Sequence, residues 1–129
     1  MGLLDNIFGN TSSNNHDAFI TWIPLTSIGQ LDEIKIASAN HPVIIFKHST
    51  RCSISRMALK QFEKEYDLEP EVNCYYLDLL NFREVSNAVA SQFNVYHQSP
   101  QLLLIKSGIC VFSATHESIS VESLKLELL

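Results

Sequence analysis

The fold is decided by the stretch Val43-Ile-Ile-Phe-Lys-His-Ser-Thr-Arg-Cys-Ser-Ile-Ser55, in which a buried strand leads into an amphipathic helix. The first four residues form a continuous apolar run, typical of a strand covered on both faces of a parallel sheet. After a loop over 48–52, apolar residues recur at helical spacing, which predicts a helix over 53–66. The expected inward stripe consists of Ile54, Ala58, Leu59, Phe62 and Tyr66.

A strand and a helix are predicted before this unit. Residues 20–25 suit a short first strand, with Pro24 marking its end or an edge position. Thr26 or Ser27 is a candidate N-cap for the helix, and Asn40-His41-Pro42 ends it. The apolar face expected for this helix consists of Ile28, Leu31, Ile34, Ile36 and Ala37.

After the unit, strand and helix continue to alternate until a hairpin and a last helix. Either Asn81 or Asp78 could cap the first of these helices, and Ser120 could cap the last. Ser107-Gly108 is a two-residue turn between two apolar runs, which indicates a hairpin. The predicted elements are strands over 72–77, 102–105 and 109–112, and helices over 82–92 and 121–129.

The predicted order is therefore β-α-β-α-β-α-β-β-α. Alternating strands and helices indicate a parallel sheet covered on both faces, and the hairpin adds antiparallel strands at one side. We expect a three-layer α/β/α sandwich with a central mixed sheet, a C-terminal hairpin and a final helix. This layout resembles that of the thioredoxin superfamily.

Size and charge narrow the classes of function. The 129 residues suffice for one domain with its own core. A net charge of −5 argues against nucleic acid as a partner, and no apolar run has the roughly 18 residues of a membrane span. Residues 9–17 are polar and turn-forming, so residues 1–18 are predicted to be a flexible arm and 19–129 the domain. Three cysteines and no basic, cleavable leader favour a cytoplasmic protein.

Cys52 is the strongest candidate for a reactive group. It falls where the loop ends and the helix begins, so backbone N–H groups and the helix dipole should favour its thiolate. Residues 43–62 carry no acidic side chain, although the chain as a whole has 14 acids against nine Lys and Arg. The cationic candidates in this window are Lys47, His48, Arg51, Arg56 and Lys60. The alternative of a buried core cysteine is weakened by the polar neighbours Arg51 and Ser53.

The other candidate residues have plainer interpretations. Ser55 stands where a dithiol enzyme has its second cysteine; it could donate a hydrogen bond to the sulfur or be a solvated first-turn residue. Cys74 and Cys110 are expected in the core. Trp22 and Tyr96 could line the site or cover the core, and the core is the position we expect. His48 is close to Cys52 in sequence, but a loop-surface position is its default. The five histidines have no ligand-like spacing, so no metal site is assigned.

The motif Phe46-Lys-His-Ser-Thr-Arg-Cys-Ser-Ile-Ser55 resembles the YtxJ family of the bacillithiol system, the monothiol bacilliredoxins. Supporting segments are Trp22-Ile-Pro-Leu-Thr-Ser27 and Gln98-Ser-Pro-Gln-Leu102, and the resemblance covers about 19–129. It departs from the family at the residue after the cysteine, which is often proline and here is Ser53.

The resemblance implies a thioredoxin-like fold and the removal of bacillithiol from mixed disulfides with proteins. Bacillithiol is then a co-substrate rather than a tightly bound cofactor, and the partners are bacillithiolated proteins, with neither nucleic acid nor a membrane. Pro100 carries over as a cis-proline facing the cysteine, whereas a trans proline opening an edge strand is the plainer alternative. The predicted site has Cys52 as nucleophile, supported by Ser55, Arg51, Thr50, His48, Ser99 and Pro100.

Other functions remain open from the sequence. The protein could be a glutaredoxin-like monothiol reductase that uses a different thiol. It could also bind thiols without turnover, carry an iron–sulfur cluster or sense oxidants through a passively capped cysteine. Cluster carriers with one cysteine use Cys-Gly-Phe-Ser, from which Ser53-Ile54 departs. Thiolate ligation of a cluster would also need further cysteines or an external thiol.

Overall fold

A computed structural model describes residues 20–68 and 72–128. The predicted arm over 1–18 lies outside the described residues, as do the first and last residues of the predicted domain, 19 and 129.

All the predicted strands and helices are present in the described chain. The strands are Trp22–Pro24 (β1), Val43–His48 (β2), Asn73–Asp78 (β3), Gln101–Lys106 (β4) and Ile109–Thr115 (β5). The helices are Gly29–Ala37 (α1), Ser53–Glu65 (α2), Arg83–Gln92 (α3) and Val121–Leu128 (α4), with a 3₁₀ turn at His116–Ser118.

One mixed sheet organises the described residues, in the order β1-β3-β2-β4-β5. The first three of these strands are parallel, whereas β4 pairs antiparallel with β2 and with β5. Strand β2 lies at the centre, with Ile45 opposite both Tyr75 and Leu103. Because both of its edges are paired and both of its faces are covered, all six of its residues are buried, as its apolar run predicted.

Two hydrophobic clusters, one on each face of the sheet, give the three layers. Alternate residues of β2 point to opposite faces. Ile45 packs in a cluster with residues of α1 and α3, whereas Ile44 and Phe46 pack with residues of α2 and α4. The α/β/α sandwich is therefore confirmed. Trp22, predicted to be a core residue, is partly buried against the second cluster.

Several local predictions are wrong for identifiable reasons. Helix α1 begins at Gly29 without a side-chain cap; instead, the Gln30 side-chain oxygen accepts N–H bonds from Thr26 and Ser27 at 2.7 and 3.0 Å. Neither Asn81 nor Asp78 caps α3, because the Asn81 amide is bound to the Asp78 carboxylate at 2.8 Å.

Four apolar residues expected in the core lie at the surface. Exposure reaches 74% for Ile36 and 90% for Tyr96, and it is also high for Ile28 and Ile54. At the other end of the chain, the predicted cap is present, since Ser120 Oγ accepts the Ser123 N–H at 3.0 Å.

Candidate active site around Cys52

Cys52 is the N-cap residue of α2. Its backbone is extended, at φ −107° and ψ 123°, and its N–H donates to the Ser49 carbonyl at 3.2 Å. Its side chain is partly exposed, and the first turn of α2 contains no acidic residue. The unpaired N–H groups of a helix's first turn carry a partial positive charge. The Cys52 side chain is therefore reachable and lies at the positive end of the helix dipole.

His48 is the last residue of β2, and the surface position expected for it is wrong. Only 3% of the residue is exposed, because the strand continues its pairing with β3 as far as His48 opposite Asp78. Its ring packs 5.5 Å from that of Tyr76, centroid to centroid. Burial is the largest influence on its pKa, which lies below the ordinary value, so His48 is largely neutral at pH 7.

Ser55 is fully buried and binds the strand end rather than the sulfur. Its Oγ accepts the Ser49 N–H at 3.0 Å and lies 2.8 Å from His48 Nδ1. A hydroxyl has one proton and two acceptor lone pairs, so Ser55 can bond the His48 ring in either tautomer while it accepts the Ser49 N–H. The hydrogen bonds of Ser55 are to Ser49 and His48 and not to the Cys52 sulfur, and its burial makes the solvated position wrong. Its contacts join the first turn of α2 to the loop that carries Cys52.

Replacing Ser55 with Ala should lower the free energy of unfolding by about 1–3 kcal/mol, because the part-buried Ser49 N–H and the buried His48 ring would lose their partner. Urea unfolding measures this change. The matched control is Ser53→Ala in the same helical turn, where the side chain is exposed and the change should stay within about 0.5 kcal/mol. Equal effects at the two positions would contradict the assigned contacts.

The cationic side chains of residues 43–62, predicted to surround Cys52, lie on both faces of the sheet. Lys47 lies on the face opposite Phe46 and His48, fully buried, with Nζ 3.2 Å from Nδ1 of His97. Burial lowers the pKa of Lys47 to about 8. On the other side, the Arg56 guanidinium donates to the Thr50 carbonyl at 3.1 Å. The cations beside the Cys52 loop are thus arginines, while Lys47 belongs to the layer that contains α3.

Replacing Lys47 with Met should stabilise the protein at neutral pH by on the order of 2 kcal/mol, because a buried ammonium is costly. The folded protein releases this proton near pH 8, whereas the unfolded chain holds it to about 10.5. Between these values the unfolded state binds more protons, so the contribution of Lys47 to the free energy of unfolding rises with pH. The advantage of Lys47→Met over wild type should therefore shrink towards pH 10.5 in urea unfolding, and a constant difference would contradict this.

Ser99 and Pro100 lie at the same edge of the sheet as the end of β2. Their peptide bond is cis, as expected, and Pro100 immediately precedes Gln101, which pairs with Lys47. The Pro100 carbonyl accepts the His116 N–H at 3.2 Å. Ser99 Oγ is buried without a hydrogen-bond partner. The strand register thus brings this loop to the edge where β2 leads into the Cys52 loop.

Two depressions adjoin the segment that carries Cys52. A cavity of about 450 Å³, here called the polar cavity, is lined by Thr50, Arg51, Leu80 and Asn81. A groove of about 460 Å³, the apolar groove, is lined by Ile54, Met57, Ala58, Gln61, His116, Glu117 and Ile119. Sequence reasoning missed the groove because it assigned Ile54 to the core. Met57, which lies outside the helical stripe and is 71% exposed, was the available signal.

Cys74 and Cys110 lie in strands β3 and β5, away from the loop that carries Cys52. Cys74 is 3% exposed, its Sγ lies 3.4 Å from Tyr66 Oη, and burial raises its pKa to about 11. Burial also raises the pKa of Cys110. All three cysteines are free. Both residues pack against the core clusters, as predicted.

Neither a metal-binding group nor a membrane-spanning helix is found among the residues that the structure describes. Within 20–68 and 72–128, no three His, Cys, Asp or Glu side chains form a group suited to a metal ion. No helix in that part of the chain has the length and apolar character needed to cross a bilayer.

Comparison with known proteins identifies a family and several solved structures that are similar to this chain. The family model for the monothiol bacilliredoxin BrxC matches residues 23–124. A solved structure described as a candidate oxidoreductase with a thioredoxin fold is 34% identical, with a TM-score of 0.71, over 83% of this chain and 93% of the other.

Two thioredoxins share the fold at lower identity. The protein from Trypanosoma brucei brucei is 17% identical with a TM-score of 0.60, over 85% of this chain and 89% of its own. That from Malassezia sympodialis is also 17% identical, with a TM-score of 0.63, over 84% of this chain and 88% of its own.

Proposed function

Since this chain belongs to the monothiol bacilliredoxin family, we propose that it removes bacillithiol from mixed disulfides with proteins through Cys52. Its family and thioredoxin fold are those of a thiol–disulfide oxidoreductase. The observation that carries the proposal is the position of Cys52, partly exposed at the N-cap of α2. Ser55 replaces a second cysteine in that turn, so a disulfide within the motif cannot form.

The reaction consists of two exchanges. The Cys52 thiolate attacks the bacillithiol sulfur of the mixed disulfide, and the target protein leaves as a thiolate that takes a proton from solvent. A second bacillithiol, as its thiolate, then attacks the bacillithiol sulfur now bonded to Cys52. This step releases bacillithiol disulfide and restores the Cys52 thiolate. Overall, the protein sulfur is reduced to a thiol and one free bacillithiol is oxidised, and it leaves joined to the bacillithiol removed from the protein as bacillithiol disulfide.

The surroundings of Cys52 are compatible with one protein and one small partner. The apolar groove, with Ile54 and Met57 exposed in the turns after Cys52, suits an apolar polypeptide segment. The neighbouring loop carries Arg51, a cation that can attract the acidic groups of bacillithiol. We propose no tightly bound cofactor, no nucleic-acid partner and no membrane attachment. Three free cysteines fit the reducing cytoplasm proposed as its location.

The proposal is tested with a purified protein that carries bacillithiol on one cysteine. Catalytic amounts of the enzyme, with free bacillithiol in excess, should regenerate the protein thiol and yield one bacillithiol disulfide per thiol released. Mass spectrometry follows the target, and chromatography follows the small disulfide. Release no faster than with bacillithiol alone would reject the reductase function and leave a binding or sensing function.

A further inference from the structure

The polar cavity has a composition suited to an anion. Its lining side chains are Thr50, Arg51, Leu80 and Asn81, none of which is acidic. It adjoins Cys52 directly along the chain, because Thr50 and Arg51 are the two preceding residues. A molecule disulfide-bonded to Cys52 could therefore extend into this cavity.

Hydrogen bonds hold both walls of the cavity. On one wall, Arg56 donates to the Thr50 carbonyl at 3.1 Å, which brings a second guanidinium to the loop. On the other wall, the Leu79 N–H donates to the His48 carbonyl at 3.1 Å. The acid nearest this wall in sequence is Asp78, and its Oδ2 accepts the Asn81 amide at 2.8 Å.

Arg51 is the cation available to a ligand in this cavity. Its side chain is exposed, and a guanidinium presents five donors in a planar fork that matches a carboxylate. The apolar groove offers the opposite chemistry, since its lining contains Glu117 and several apolar side chains.

We propose that the polar cavity is the binding site for the acidic end of the small thiol, with Arg51 determining the preference for carboxylate-bearing thiols over neutral ones. The inference rests on the proposed function and specifies the subsite that serves it. The carboxylate binds the Arg51 guanidinium while the thiol sulfur lies at Cys52. The apolar groove then remains free to bind the target protein.

The test compares two thiols as the second substrate: bacillithiol, which is acidic, and 2-mercaptoethanol, which is neutral. In Arg51→Gln, the ratio of kcat/KM for bacillithiol to kcat/KM for 2-mercaptoethanol should fall about tenfold, mainly through a higher KM for bacillithiol. Arg51→Lys should recover part of this loss, since it keeps the charge but not the fork.

Lys64→Gln is the matched control. It removes one exposed positive charge from the far end of α2, so general attraction of anions falls equally while the cavity is intact. The inference requires the ratio to stay within twofold in this variant. An unchanged ratio in Arg51→Gln, or an equal fall in both variants, would overturn it. The proposed function would survive either outcome if the wild type still turns over bacillithiol.

A second measurement does not depend on turnover. S-methyl bacillithiol cannot exchange disulfides, so its binding is followed by amide NMR of the wild-type protein. Shifts should concentrate at Thr50, Arg51, Leu80 and Asn81 and be weakened in Arg51→Gln. Shifts elsewhere, or none, would overturn the inference. Failure of the wild type to turn over, combined with shifts at the cavity, would reject the proposed function while retaining the site.

Discussion

Replacing Cys52 with Ser should lower turnover on a bacillithiolated protein by on the order of a thousandfold or more, because a serine hydroxyl cannot form the mixed disulfide. Ser55 has its hydroxyl committed to His48, and Cys74 is 3% exposed. Initial rates of target-thiol release measure the effect.

The matched controls are Cys74→Ser and Cys110→Ser. Each removes one thiol whose pKa is raised by burial, so each variant should keep a rate within about threefold of wild type, provided that it is folded by circular dichroism. Substantial turnover in Cys52→Ser, or loss of turnover in a folded Cys110→Ser variant, would show that another cysteine carries out the reaction.

Phe62→Ala should lower the free energy of unfolding by about 3–5 kcal/mol, the usual cost of truncating a fully buried aromatic residue. Phe62 is fully buried and lies within 5.8 Å of the rings of Phe46 and Tyr66, centroid to centroid. It anchors the helix that carries Cys52. The free energy of unfolding of a domain of this size is about 5–15 kcal/mol, so the loss is a large fraction of its stability.

Urea unfolding of Phe62→Ala is compared with Met57→Ala on the same helix. Met57 is 71% exposed, so its truncation should cost no more than about 0.5 kcal/mol. A loss below about 1 kcal/mol for Phe62→Ala would mean that α2 does not pack on the sheet through this residue.

The architecture could be predicted because its signals are local. The unbroken apolar run at 43–46 indicated a doubly covered strand, and β2 is buried over its whole length. The apolar stripe after Cys52 indicated α2, and the turn at Ser107-Gly108 indicated the hairpin, where Gly108 has φ 81°. Patterns with periods of 2 and 3.6 residues identify elements without knowledge of their neighbours.

The details of the site depend on distant contacts, which no local pattern shows. The sequence predicts a loop at His48 because nothing in its neighbours shows that pairing with Asp78 extends the strand. It groups Lys47 with Cys52 because the two are close in sequence, although strand alternation sends the Lys47 side chain to the other face. It predicts a core position for the aromatic Tyr96, yet 90% of this residue is exposed.

Mass spectrometry after reaction with bacillithiol disulfide tests the role of Cys52 most directly. The full-length protein is treated with a small excess of the disulfide, quenched with acid and digested. The predicted result is a single bacillithiol adduct on the peptide that contains Cys52, removed by further bacillithiol. An adduct confined to Cys74 or Cys110, or an unmodified Cys52 in the folded protein, would contradict its assignment as the reacting thiol.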